Sequence, residues 1–287
     1  MEEWAWINGE LTPLAQARVG IEDRGFQFAD GVYEVIRLYN GRPFALQMHM
    51  DRLERSSRGI QLEPPQRRVL ADAIDKTLSR AALTDGMLYV QFTRGASPRN
   101  HVFLSDATIV PGTLVCYARQ LDPVPAPGMS RGVKLVSVPD ERWKRCWVKS
   151  IALLPNVLAR NYAASVGADE AVFVEQGIVS ECSTSNLFAV LSGALVTHPI
   201  GPRVLPGITR AILLDIASGM GVPAQERELT EVEARLADEL FICSTNREIG
   251  WVAAWNGAPI GGRCGELTLR LHRELQRRVS LDCAPQT

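Results

Sequence analysis

Four dipeptides of the form X–Gly (Asn8-Gly9, Asn40-Gly41, Gln176-Gly177 and Ser192-Gly193) each break a run rich in β-branched, aromatic and aliphatic residues. Glycine, and asparagine beside it, accept the positive φ angles of a two-residue hairpin turn at little steric cost. The segments WAWINGELTPL, GVYEVIRLYNGRPF, EAVFVEQGIVSE and NLFAVLSGALVTH are therefore expected to be antiparallel hairpins. Two lie near the start of the chain and two in its second half, so antiparallel sheet is required in both.

Helical spacing fills the intervals. Leu46, Met50 and Leu53 share one face of a segment expected to run from Leu46 to Arg58 and to stop at Gly59 as its left-handed C-terminal residue. Pro65 to Ala82 places Val69, Leu70, Ala73, Ile74, Thr77, Leu78 and Ala81 on one side. Strands MLYVQFTR and TLVCYAR follow. LDPVPAPGMS, residues 121–130, then brings three prolines and a glycine, which suit an extended connection better than a regular element. Beyond it the pattern predicts a strand at GVKLVSV, helices over Asn156–Val166, Ile208–Met220 and Glu266–Val279, and a buried strand at LFICST. Thr230 and Glu233 are spaced as a capping box, each able to satisfy the other end's orphan amide. The expected architecture is α+β in two domains: a small domain over 1–120, a connection over 121–130 and a large domain over 131–287.

A formal net charge of −1 with acids and bases interleaved excludes nucleic acid and anionic membrane as expected partners. The six cysteines are scattered without a CxxC pair, and they read as reduced small hydrophobes of a cytoplasmic protein. No apolar run of about 18 residues is present to suggest a membrane span. The four histidines lack HxH or HExxH spacing, so no metal site is expected, and neither GxGxxG, GxxxxGK[ST] nor GxSxG occurs.

Cation usage singles out one residue. The chain has 27 arginines and four lysines, and one of the four, Lys149, stands between Trp147-Val148 and the apolar run Ile151-Ala152-Leu153-Leu154. An arginine cannot serve as a nucleophilic amine, because its guanidinium stays protonated; a desolvated lysine can. An edge-strand or snorkelling lysine also fits this setting. Four other segments are candidates for chemistry. SECSTSN, residues 180–186, is a hydrated turn or a cofactor floor of hydroxyls beside Glu181. PGITRAILL offers the backbone N–H groups of Gly207, Ile208 and Thr209 at a helix start, either as a plain cap or as an anion site. The CSTN stretch, residues 243–246, ends a strand with hydroxyls and an amide. TRGASPRNHVF puts Arg94, Arg99 and His101 on one loop, as solvated charges or as a carboxylate receptor.

In combination these residues resemble the fold-type IV pyridoxal-phosphate enzymes, and among them the D-amino-acid aminotransferases. EDRGFQFADGVYEVIRLYNG, HMDRLERS, VQFTRGASPRNHVF, RWKRCWVKSIALLPNVLA, THPIGPRVLPGITR and ELFICST recur in that family in this order and at these spacings. The resemblance implies pyridoxal 5'-phosphate as cofactor, Lys149 as the Schiff-base lysine and Glu181 as the carboxylate that keeps the pyridine nitrogen protonated. It puts Arg52, Ile208, Thr209 and Thr245 at the phosphate, with Gly207, Ser183, Thr184, Ser185 and Ser244 among the cofactor contacts, and Leu205 against the ring. Tyr33, Arg99 and His101 fall on the trap for the substrate α-carboxylate, and Val35 with Ser244 on the side-chain pocket. Arg99 and His101 come from the neighbouring subunit in family members, so the resemblance implies a homodimer. Cys182, Thr184, Cys243 and Asn246 depart from the family's usual residues without removing a group the chemistry requires.

The activity so implied is ping-pong transamination between a D-amino acid (D-alanine, D-glutamate or D-aspartate) and a 2-oxo acid such as 2-oxoglutarate or pyruvate. Other fold-type IV activities remain as alternatives: a branched-chain L-aminotransferase, an (R)-amine transaminase or an aminodeoxychorismate lyase. So does a non-catalytic carrier of the cofactor.

Overall fold

A computed structural model describes residues 2–103 and 112–284. The chain packs into two units. The first comprises Met1–Pro123, Val148–Ala152 and Asp282–Thr287, and the second Val124–Trp147 and Leu153–Leu281.

The first unit contains β1 (Trp4–Ile7), β2 (Glu10–Pro13), α1 (Arg24–Phe28), β3 (Gly31–Tyr39), β4 (Arg42–Pro43), α2 (Leu46–Gly59), α3 (Arg67–Ala81), β5 (Gly86–Thr93) and β6 (Thr113–Gln120). Its strands form one antiparallel sheet in the order β2-β1-β6-β5-β3-β4. α2 packs on β3, and α3 on β1 and β6. Alternation along β3 sends Val32, Glu34, Ile36 and Leu38 into the buried side and leaves Tyr33 and Val35 half-buried. Buried glutamate in that apolar series is the first sign of a polar centre.

The turn chemistry is as the dipeptides require. Asn8 and Gly9 have φ of 46° and 109°, and Asn40 and Gly41 have 51° and 75°. α2 ends differently from expectation, because the left-handed residue is Gln61 (φ 55°), not Gly59. Gln61 N–H donates to Arg58 O and Leu62 N–H to Ser57 O, which satisfies the last carbonyls while burying Leu62.

The second unit contains β7 (Val133–Pro139), α4 (Leu154–Ser165), β8 (Glu170–Glu175), β9 (Ile178–Cys182), β10 (Asn186–Leu191), β11 (Ala194–Thr197), α5 (Ile208–Gly219), β12 (Ala224–Glu226), β13 (Leu229–Thr230), α6 (Glu231–Arg235), β14 (Glu239–Ser244), β15 (Glu248–Trp255), β16 (Ala258–Pro259) and α7 (Glu266–Asp282). Its sheet runs β12-β11-β10-β14-β15-β7-β8-β9-β13, with β16 paired to β15. β7 is parallel to both β8 and β15. The core comprises Val133, Leu135, Val172, Leu187, Ala189, Ile242, Val252 and Trp255. The capping box forms as expected: Glu233 N–H donates to Thr230 Oγ1 at 3.1 Å and Thr230 N–H to Glu233 Oε2 at 3.0 Å.

Hydrogen bonds explain why two short segments pack with the first unit. Tyr33 N–H donates to Lys149 O at 3.0 Å, and Ile151 N–H to Gly31 O at 3.1 Å, so residues 148–152 pair with the start of β3. Near the C-terminus, Asn40 Nδ2 donates to Cys283 O and Arg42 Nη1 to Ala284 O, while Asp282 Oδ2 accepts from Ala45 N–H. Among the described residues no helix is long and apolar enough to cross a membrane.

Candidate active site

Both faces of β3 carry chemistry in the first unit. On the buried face, Glu34 accepts from Arg52 through two parallel bonds, Nε to Oε1 and Nη2 to Oε2, each 2.7 Å long. His49 Nδ1 lies 2.7 Å from Glu34 Oε2. Burial raises the Glu34 pKa, but the Arg52 charge and hydrogen bonds, helped by His49, outweigh it and hold the carboxyl down to about 2. Burial lowers the His49 pKa against the pull of Glu34. His49 and Arg52 are three residues apart on α2, the spacing that brings both onto one carboxylate.

On the other face, the Lys149 Nζ stands 4.2 Å from the centroid of the Tyr33 ring. The lysine backbone is fixed on both sides, with its N–H donated to Ser56 Oγ at 3.1 Å and its C=O accepting from Tyr33. Among the described residues no carboxylate pairs with Nζ. The side chain is therefore an amine on a rigid backbone, resting on a ring face that leaves its donors accessible. Val35 lies opposite Tyr89 in the β3–β5 register. Tyr89 in turn stacks on Tyr33 and Tyr117, with ring centroids 5.8 and 4.9 Å away. Arg99 and His101 are exposed on the loop after β5, beside Phe28.

In the second unit Glu181 is buried near the end of β9. Its Oε2 accepts from Asn186 Nδ2 and Leu205 N–H, each at 3.0 Å, and its Oε1 from Arg142 Nη1. Desolvation is the largest influence and pushes the carboxyl up to about 7, despite the Arg142 charge. Arg142 is shared: it also donates to Asp140 and to Arg203 O, and it lies 4.0 Å over the Phe173 ring. Asn186 Nδ2 additionally donates to Leu205 O, so Leu205 is held at both its amide and its carbonyl.

α5 opens without a side-chain cap. The first-turn N–H groups have no partner within a helix, and the Thr209 hydroxyl is beside them. A Cβ at Gly207 would overlap Asn186 Oδ1, so this helix start can approach the Glu181 support only as glycine. Ser244 and Thr245 are half-buried at the end of β14. The hydroxyls of 183–185 turn elsewhere: Thr184 Oγ1 donates to Glu170 Oε1 at 2.7 Å and Ser185 Oγ to Glu170 Oε2 at 3.0 Å, with Ser183 Oγ at 3.4 Å. The structure therefore groups these three on a buried carboxylate.

Glu34, His49, Arg142, Asn186, Glu170 and Tyr89 bond to or stack on the candidate residues or one another and are not singled out by the sequence. Glu34 has a usable signal, a carboxylate at an apolar position of a period-two series, with His49 and Arg52 at helical spacing downstream. Arg142 and Glu170 pair across 39 and 14 residues with partners no local pattern announces.

The family model for class IV amino-transferases matches residues 31–255. The chain belongs to this family, and it is thus a pyridoxal-phosphate-dependent aminotransferase. The D-alanine aminotransferase of Listeria monocytogenes serotype 1/2a (strain 10403S) is 38% identical over 280 residues, which are 96% of each chain. Among solved structures, the branched-chain amino acid aminotransferase of Escherichia coli superposes with a TM-score of 0.87 at 25% identity, covering 96% of this chain and 94% of that one. The branched-chain aminotransferase of the archaeon Thermoproteus uzoniensis, solved with norvaline, gives a TM-score of 0.83 at 27% identity, covering 99% and 96%.

The donor set suits the cofactor. Lys149 offers an amine with no carboxylate partner among the described residues, Glu181 a desolvated carboxyl, and the uncapped start of α5 a set of N–H donors for an anion. Each chemical demand of a phosphorylated pyridine aldehyde has a matching group.

Proposed function

We propose that this protein transfers the amino group of small D-amino acids, D-alanine foremost with D-glutamate and D-aspartate, to 2-oxo acids such as 2-oxoglutarate and pyruvate. The observation that carries this reading is the 38% identity to a D-alanine aminotransferase over 96% of both chains. The branched-chain enzyme of Escherichia coli shares the fold at 25% identity, and that likeness favours an L-specific branched-chain activity as the second reading.

When bound, pyridoxal phosphate supplies an aldehyde that condenses with amines and a ring that draws electrons from the adjacent carbon. Lys149 Nζ would be the amine that holds the cofactor and, when free, the base that takes the proton from the substrate Cα and returns it. Glu181 keeps a positive charge on the ring nitrogen, and Asn186, Leu205 and Arg142 hold its two oxygens in place for that role. Thr209, the α5 amides, Thr245 and Arg52 bind the phosphate. Glu34, engaged bidentately, fixes the Arg52 fork. Tyr33, Arg99 and His101 bind the α-carboxylate, which decides the hand of amino acid whose Cα hydrogen faces Lys149. Val35 and Ser244 bound the side chain. Amino donor and acceptor use one site in turn, so the kinetics are ping-pong.

We further infer a cytoplasmic homodimer in which Arg99 and His101 serve the neighbouring subunit's site. An exposed apolar row on α4 supports dimerisation: Leu154, Val157, Leu158 and Tyr162 are 67, 56, 60 and 51% exposed. Six free cysteines, all buried, agree with a reducing compartment. Sedimentation analysis checks the dimer, which is expected at micromolar protein. The deciding experiment incubates the enzyme with D-alanine and 2-oxoglutarate. D-Glutamate and pyruvate are expected, with L-leucine inert; preference for L-leucine would establish the second reading instead.

A further inference from the structure

Of the three arginines around the loop after β5, two share one carboxylate. Arg24 Nε and Arg94 Nε both donate to Asp30 Oδ2 at 2.8 Å, and Arg94 Nη2 donates to Oδ1 at 3.0 Å. Arg94 also donates to the carbonyls of Gln61 and Ile60 at 2.8 Å. These two forks are occupied. Arg99 is different: among the described residues no carboxylate pairs with it, and its guanidinium carbon lies 4.5 Å from the centroid of the Phe28 ring. Arg24 lies 4.8 Å from the same ring, and the His101 ring is centred 5.2 Å away and tilted by 55°.

A ring face attracts a cation through its quadrupole without engaging the N–H donors along the guanidinium edge. A carboxylate in the position of Phe28 would instead neutralise Arg99 and fill its fork. The ring therefore orients the charge while leaving it open to an incoming carboxylate. Two further contacts make the platform rigid. Arg24 Nη1 donates to Asn100 O, the peptide between Arg99 and His101. Asp23 caps α1, which ends in Phe28, by accepting from Gly25 N–H at 2.8 Å, and it ties that helix to Thr93 and Thr113 at 3.0 and 2.6 Å.

We propose that Phe28, braced by Arg24, is a positioning residue that presents Arg99 and His101 as a carboxylate receptor and so sets how tightly the substrate α-carboxylate is held. The proposal rests on the reading of Arg99 and His101 as that receptor, and the experiment separates the two. In the holoenzyme, Phe28→Leu removes the π face while keeping apolar bulk, and Phe28→Tyr retains the face. Phe28→Leu is expected to raise the KM for D-alanine about tenfold, the size of one cation–π contact, with kcat changed less than about twofold. The Kd of propionate, an unreactive carboxylate followed by calorimetry, should rise in parallel. Phe28→Tyr should restore both values, and Phe28→Leu combined with Arg99→Ala should be no worse than Arg99→Ala alone.

If Arg99→Ala raises KM and Phe28→Leu does not, the platform is overturned while the receptor stands. If Arg99→Ala and His101→Ala both leave KM and the propionate Kd unchanged, the receptor reading itself falls and takes the platform with it. A Phe28→Leu enzyme that loses kcat and melting temperature at unchanged KM would make the ring a packing element only, which also overturns the proposal.

Discussion

Glu181 accepts three hydrogen bonds, one from an arginine, and still its carboxyl is pushed up to about 7 because burial is the larger influence. A group so placed gains most from a second positive charge, which is what a protonated pyridine nitrogen would bring. Glu181→Gln keeps the shape but not the charge, and kcat should fall by about 10²-fold, in the range of losing one preorganised electrostatic contact. Its melting temperature should move little, since Arg142 retains Asp140 and Arg203 O as partners. Lys149→Ala should reduce transamination by about 10³-fold or more. Single-turnover absorbance with D-alanine alone checks both variants, because it reads the half-reaction without a second substrate.

At the scale of elements, the start of α5 is held by a close approach that admits no side chain. Gly207→Ala would drive a methyl into Asn186 Oδ1, loosening the Glu181 and Leu205 contacts that Asn186 makes. A loss of about 1–3 kcal/mol is expected from such overpacking, with weaker cofactor retention; thermal melts and equilibrium dialysis measure the two. The hairpin turns are legible in the sequence because their requirement is local: at all four X–Gly pairs both central residues have positive φ. A fifth turn of the same kind, Asn256-Gly257 with φ of 50° and 77°, joins β15 to β16 and escapes sequence reading together with β15 itself. EIGWVAAW lacks β-branched density. It carries Gly250 because a Cβ there would come within 2.9 Å of Val133 Cγ2 on β7, so the close packing that makes the strand central also removes its sequence signal. Likewise, the hydroxyls of 183–185 are visible as a cluster, but their shared acceptor, Glu170, begins a different strand. The groups that hold a candidate residue in place are mostly beyond local pattern, whereas Lys149 stands out by cation usage and is singled out by the resemblance of the motif around it.

At the scale of the whole molecule, acid should act first on the unit that contains Glu34. The Glu34 pKa falls from 4.5 to about 2 on folding, so its contribution to stability is present above about pH 4.5 and disappears as pH falls through about 2. His49, whose pKa is lowered from 6.5, works in the same direction, stabilising above that value and costing stability as acid protonates it. Thermal melts between pH 7 and pH 2 should therefore show the transition of the first unit moving down, and Glu34→Gln should flatten the Glu34-dependent part below pH 4.5. That unit is also discontinuous in sequence. Residues 148–152 pair with the start of β3, and 282–284 tie down the β3–β4 hairpin. A ribosome making this chain releases the beginning of the first unit well before residues 148–152 and 282–284. The unit begun first is accordingly completed only after the second, and Lys149, whose backbone pairs with β3, cannot be seated until more than half of these residues have emerged.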